Sequence, residues 1–356
     1  MREESHIPSS YGTSGGFLRV ILFVCLCAFS GIGIVGYALH SPQRSLPEGV
    51  ASTPIESVNP GRLLQVRQRP HLLFRSTALG PSYGFLSVAG LDAMDGARHV
   101  TAISCERVYG SASSGLCLQA SRGVFTTYQA IVFDQSFNTQ QILSLSGAPS
   151  RTRVSRNGRM GAITVFVKGD SYNSGGFSTR TSLIDLVSKQ VIGDLEAFPV
   201  TKDGQPFRKV DFNFWGVTFA PGGDRFFATL GSGGVLYLVE GEISKRSLRV
   251  VREGVECPSL SPDGTRIAFK ARATESGRFM WRVRVWDIRT GTETAINETR
   301  SVDDQVEWLD SEHVLYGLPR ELDGSASADI WTARVDGKGT PRVFLADALS
   351  PCVIRP

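Results

Sequence analysis

The sequence predicts an all-β fold, a six-bladed β-propeller preceded by one N-terminal transmembrane helix. Three observations carry this. A proline or polar turn followed by a short alternating strand recurs along the chain. No stretch after residue 70 sustains a 3.6-residue apolar period over four turns. One uninterrupted apolar run stands near the N-terminus.

The chain has 356 residues, of which 41% are hydrophobic, enough to bury a large core. A net charge of +4 without a long basic run argues against nucleic acid as a partner. Residues 1–16 are polar and rich in Ser and Gly, and read as a disordered tail. Within 17–40, Val20 to Leu39 contains no charge. Twenty helical residues rise about 30 Å, the thickness of a hydrocarbon core. Arg2 and Arg19 before the run outweigh Arg44 after it by little, because Glu3 and Glu4 dilute the first set. The bias places the N-terminus inside and the rest outside the cytoplasm, across an inner or plasma membrane. No small-residue cleavage site follows, so the segment reads as an uncleaved signal-anchor. Residues 41–69, punctuated by Pro42, Pro47, Pro54 and Pro60, read as a linker.

From 70 to 356 the repeats take over. "LSPDGTRIAFKA" at 260–271 has counterparts in "FAPGGDRFFATL" at 219–230, "VSRNGRMGAITVF" at 154–166 and "EWLDSEHVLYGL" at 307–318. Asp or Asn with Gly turns the chain, and the alternating strand that follows must bury a face. A second hairpin follows each copy, as in "WRVRVWDIRTGTETAI" at 281–296 and "ADIWTARVDGKGTPRVF" at 328–344. Units of strand, turn, strand and turn at this spacing are propeller blades. Their approximate spans are 70–103, 104–145, 154–195, 219–251, 258–296 and 307–344.

"LSPDGTRIAFKA" with "VWDIRTGTETAI" resembles the WD40-like repeat of the TolB-type β-propellers. The resemblance implies six blades and, as a setting, envelope assembly or transport. It covers the propeller alone, since a proline-rich linker stands where TolB carries a separate α/β domain. "LSPCVIRP" at 349–356 reads like an innermost strand, and the first blade, starting "HLLFRST", lacks one. Residues 349–356 are therefore expected to close the ring.

Candidate functional residues follow from the innermost strands. "SVDDQVEW" at 301–308 puts Asp303, Asp304 and Glu307 either at the channel mouth of blade six or in a solvated turn. Asn213 and Trp215 hold the corresponding place in blade four, where Trp215 also suits packing between blades. Arg151 and Arg153 hold it in blade three. Together they would line a mixed-charge funnel for a polar ligand or a peptide end. Five histidines, His6, His40, His71, His99 and His313, show no metal-ligand spacing, and no Gly-x-Ser-x-Gly elbow occurs. No catalytic residue, metal or cofactor is assigned. A protein- or peptide-binding scaffold or sensor is the first reading. A hydrolase or lyase using Asp304 or Glu307 on a small polar substrate is the alternative.

Of six cysteines, Cys25 and Cys27 lie in the apolar run. Cys105 and Cys117 flank a polar hairpin and suit a cross-strand disulfide. Cys257 and Cys352 either staple different blades together or pack singly as small apolar groups. Disulfides would suit the extracytoplasmic side. Asn297-Glu298-Thr299 forms a glycosylation sequon.

Overall fold

The computed structural model describes residues 19, 21–27, 55–56, 60–92, 97–172, 176–320 and 326–356. The chain divides into two compact units, Met1–Ser52 and Thr53–Pro356. In the first, residues 19 and 21–27 are helical. Among the described residues no helix is long and apolar enough to cross a membrane. Most of the predicted span Val20–Leu39, and the whole of the 1–16 tail, lie outside the described residues.

The second unit holds six sheets, one per blade. The innermost strands are Ala348–Ile354, Arg107–Gly110, Ala148–Val154, Asn213–Phe219, Glu256–Leu260 and Glu307–Trp308 for blades one to six. Each touches the next, and the sixth touches the first, around a central axis. Each blade adds three antiparallel strands outward from its innermost one. With four strands to a blade, every innermost strand starts at the same end of the axis. We call that end the entry face and the opposite end the exit face. Links between blades and the hairpins between second and third strands lie on the entry face; all other turns lie on the exit face.

Blade one is closed as expected: His71 pairs with Ile354, Leu72 with Val353 and Leu73 with Cys352. The first residues of the propeller thus bind its last strand, and no bare inner edge remains. Of the 41–69 linker, residues 41–54 and 57–59 lie outside the described residues, and the rest carries two short elements. Ile55–Glu56 adds a parallel strand outside Arg98–Ser104, and Pro60–Arg67 forms a helix. Leu63 of that helix is buried, and Val66 packs on the core between blades one and two. One apolar edge in a polar proline-rich stretch suffices to dock the segment, which periodicity over so short a length cannot reveal.

Both faces of each sheet are apolar, so the core lies between neighbouring blades. Phe214, Phe226, Leu230 and Val239 of blade four meet Leu183 of blade three. Phe227, Leu238, Ile267 and Phe269 join blades four and five. Leu72, Phe74, Leu315 and Ile330 seal blade one to blade six. Side chains of this size contribute roughly 1.5–3 kcal/mol each when fully buried.

The recurring turns work as their composition dictates. Asp263 Oδ1 accepts the Ser261 hydroxyl at 2.5 Å and the Thr265 N–H at 3.0 Å, while Gly264 takes φ +74°. Asn157 does the same work in blade three, accepting from Arg159 N–H at 3.0 Å. Innermost strands carry a further device invisible in the repeats: a bulge. Gly216, Cys257 and Ser350 each take positive φ where the register of the inner pair shifts. A Cβ on Gly216 would lie 2.6 Å from the Cys257 Cα, so glycine permits that close approach of blades four and five.

Two outcomes follow. Deleting residues 348–356 leaves the His71–Ser76 edge and its apolar faces bare. The melting temperature should fall by more than about 10 °C, or unfolding should lose cooperativity, in a calorimetric scan. The second concerns Glu196, on the 3₁₀ turn where the fourth strand of blade three stops. Its oxygens accept the Thr181 N–H, and burial pushes its carboxyl up from 4.5 to about 7. A raised carboxyl favours the folded state most below pH 4.5, and that contribution is lost as pH climbs towards 7. Glu196→Gln should match wild type at pH 4 and exceed it by about 1–3 kcal/mol at pH 8 in urea titrations. Equal differences at both values would refute the assignment.

Candidate functional site: a plugged channel and its exit mouth

The axis of the ring is filled by charged side chains in two tiers. On the entry side, Lys270 Nζ lies 2.6 Å from Asp303 Oδ1 and 3.0 Å from Glu256 Oε1. Lys270 and Glu256 are fully buried. The ammonium also stands over the Trp281 ring at 4.4 Å and the Tyr172 ring at 5.4 Å. Arg151 reaches Asp303 through its carbonyl at 3.3 Å and its carboxylate at 3.7 Å. Burial raises the Asp303 carboxyl, but Lys270 and Arg151 together hold it below the ordinary value.

On the exit side, Glu307 Oε2 accepts the Tyr109 hydroxyl at 2.9 Å and pairs with Arg153 Nη1 at 3.3 Å. Its other oxygen accepts the Val353 N–H at 3.2 Å. Burial pushes this carboxyl up against the pull of Arg153. Arg153 also donates to Val306 O at 2.7 Å and stacks 4.3 Å over the Tyr109 ring. Gln305 completes the plug, donating to Val217 O at 3.1 Å and Pro258 O at 2.8 Å. Residues 303–307 thereby tie blade six to blades one to five.

The structure brings together five of the seven residues proposed from sequence. Arg151 with Asp303 and Arg153 with Glu307 form the two tiers. Asp304 sits between them, with its oxygens accepting main-chain N–H groups of Gln305 at 3.0 Å and Gly317 at 2.9 Å. Asn213 and Trp215 lie elsewhere. Asn213 Oδ1 accepts the Thr179 N–H at 2.9 Å, joining blades three and four. Trp215, fully buried, stacks on Tyr172 at 5.1 Å among aromatics of blades three to five.

Lys270, Glu256, Tyr109 and Tyr172 were missed. A lysine inside the apolar strand "RIAFKA" is a signal, but its partner emerges only from the pairing of Glu256 with Lys270 in the inner hairpin.

Among the cysteines, Cys105 and Cys117 are disulfide-bonded. The stapling option for Cys257 and Cys352 is corrected, since both are free and buried. Cys257 packs with Trp215 and Trp281, and its N–H is held by Thr229 Oγ1 at 2.8 Å. Cys352 donates to Gly110 O at 3.2 Å in the core between blades one and two. They belong to blades five and one, which blade six separates. Among the described residues no group of three or more His, Cys, Asp or Glu is placed to hold a metal ion.

Beneath the exit tier the axis opens into a pocket of about 230 Å³ to which all six blades contribute. Tyr109, Arg153 and Glu307 lie at its inner end. Ser111, Ser259 and Ser261 supply hydroxyls, and Trp308 supplies an aromatic wall. Arg156 and Arg355, both exposed, stand at the rim.

The fold is that of a TolB-like six-bladed β-propeller. The chain is similar to TolB from Acinetobacter baumannii, with 17% identity, 80% of this chain covered and a TM-score of 0.55. It spans 66% of the length of that TolB chain. A chain of a nidogen/laminin complex is similar at 9% identity, covering 80% of this chain and 98% of that one, with a TM-score of 0.50. No family model matches the sequence, and no curated protein matches it.

Removing one partner of the entry tier should be far more damaging than removing the set. Lys270→Met strands the buried Glu256 and leaves Asp303 with Arg151 alone, and should cost about 3–5 kcal/mol by chemical denaturation. Adding Glu256→Gln should restore at least about 1 kcal/mol of that loss. Strict additivity would show that the two groups do not interact.

Proposed function

We propose that the propeller is a binding scaffold whose exit mouth takes an acidic segment or carboxylate end of a partner protein. The observation that carries this is the composition of the mouth. Its lining holds three cations, Arg153, Arg156 and Arg355, against one anion, Glu307, which Arg153 already neutralises. The outer arginines thus present uncompensated positive charge beside hydroxyls and an indole, a surface suited to carboxylate recognition. A pocket of this size accommodates a side chain or a chain end rather than a folded domain. Asp304, on which an enzymatic reading would lean, has its oxygens committed to the backbone.

The setting we infer is the extracytoplasmic side of an inner or plasma membrane, with Val20–Leu39 as a single-pass anchor. The uncharged length of that run and the Cys105–Cys117 disulfide support this reading. Assembly or transport in the envelope is the corresponding role.

Fluorescence anisotropy with labelled peptides tests the mouth. Peptides ending in free acidic residues should bind the full chain at least about tenfold more tightly than amidated or basic ones. Arg156→Glu with Arg355→Glu should abolish that preference. Unchanged affinity in this variant would remove the proposal. For the anchor, the full chain should stay in the membrane pellet after alkaline carbonate extraction, and release into the supernatant would exclude it.

A further inference from the structure

The two faces of the ring differ in where large apolar side chains protrude. On the entry face Leu79, Val124, Phe125 and Phe279 are exposed at hairpins of blades one, two and five, and Val210 in the link into blade four, with Val124 at 95% and Phe125 at 83%. On the exit face, among the described residues, Val187 is exposed at 70% in a turn, and Val191 and Val343 are exposed at 53% and 44% one residue into the strands that follow such turns, but no phenylalanine protrudes. Propeller turns normally carry polar residues, as the Asp- and Asn-centred exit turns do. Protruding valine and phenylalanine at entry tips therefore need a partner.

Each main tip has cations beside it in sequence. Arg122 precedes Val124 and Phe125, Arg208 and Lys209 precede Val210, and Arg278 precedes Phe279. All four cations are exposed, and of them Arg122 is already paired with Glu106 at 2.7 Å. Several acids of this face are held by the protein. Asp211 accepts from Ser232 and Gly233, Glu275 pairs with Arg282, and Glu253 pairs with Lys202. Among the described residues Asp170 and Asp203 remain exposed on this face.

We propose that the entry face rests on an anionic lipid surface. The tips at 124–125, 210 and 279 enter the headgroup boundary, and Arg208, Lys209 and Arg278 pair with lipid phosphates. Apolar tips below and cations level with the phosphates are the arrangement of interfacial anchoring. A lipid occupant suits this geometry better than a protein one. The tips stand on separate blades without a continuous apolar floor, and a fluid surface admits separated wedges, whereas a protein interface is built on a contiguous packed core. Resting on this face would turn the exit mouth away from the membrane, towards a partner. The inference does not depend on Val20–Leu39 crossing a bilayer, nor on what the exit mouth binds.

Hydrogen–deuterium exchange on the full chain tests it. The probes are vesicles of phosphatidylcholine alone and vesicles also containing phosphatidylglycerol. The backbone at 122–126, 208–212 and 276–280 should exchange at least about threefold more slowly with the anionic vesicles. The exit turns at 186–189 and 336–339 should not change and serve as the internal control. Val124→Ser with Phe125→Ser, and separately Arg208→Glu with Lys209→Glu, should each remove the protection. These positions are exposed, so the fold should survive, and unchanged protection of the inner strands would verify that. Equal exchange with both vesicles would overturn the proposal, as would protection that persists in the variants. Protection of these loops that appears only when a protein partner is added would overturn it too, and would mark a protein interface instead.

Discussion

Every blade is a small sheet with two apolar faces, and none can bury both without a neighbour on each side. A linear stack would leave its two end sheets half wet. The ring removes both ends at once, and pairing of His71–Ser76 with Ala348–Ile354 secures it. The Leu72, Phe74, Leu315 and Ile330 cluster between blades one and six depends on that pairing. So does the convergence of six innermost strands on one axis, which creates a site from residues far apart in sequence.

Bringing those strands together creates an electrostatic problem as well as a site. Innermost strands offer backbone and side chains to a narrow channel, and this chain fills it with ions and polar groups. Lys270 between Glu256 and Asp303, and Arg153 against Glu307, leave few of these charges unpaired. Such buried pairs contribute little net stability, yet each is costly to break on one side. Their effect here is on geometry. Residues 303–307 bond to every other blade, so the plug sets how the blades are placed around the axis. It also fills the axis between the two mouths.

The two mouths have diverged. The exit side has short Asp- and Asn-centred turns, hydroxyls and uncompensated arginine around a pocket. The entry side has longer loops with apolar tips and adjacent cations. Loops on a rigid ring vary without disturbing the core, because their backbone lies at the surface and carries few packing contacts. One scaffold can therefore address two different surfaces. The likeness to solved structures at 17% identity or lower speaks to the scaffold and not to what its mouths bind.

Much of this was legible in the sequence because it is local. A Pro-Asp-Gly turn, an alternating strand and a following hairpin are encoded locally, and their recurrence marked the blades; the count of six came from the resemblance to TolB-type propellers, and the closing strand from the likeness of 349–356 to an innermost strand. The Cys105–Cys117 pair was legible for the same reason, since a short hairpin separates the two. Asp303, Glu307, Arg151 and Arg153 were legible as channel residues from their place in innermost strands. What tertiary structure alone decided is non-local. Glu256 and Lys270 became partners through a register that a bulge shifts, and Trp215 joined an inter-blade cluster rather than the channel. Pro60–Arg67 folded onto the ring because Leu63 found a buried place there. Side-chain order along one strand is a property of the chain, whereas the partner across a channel depends on how six sheets are rotated around their axis.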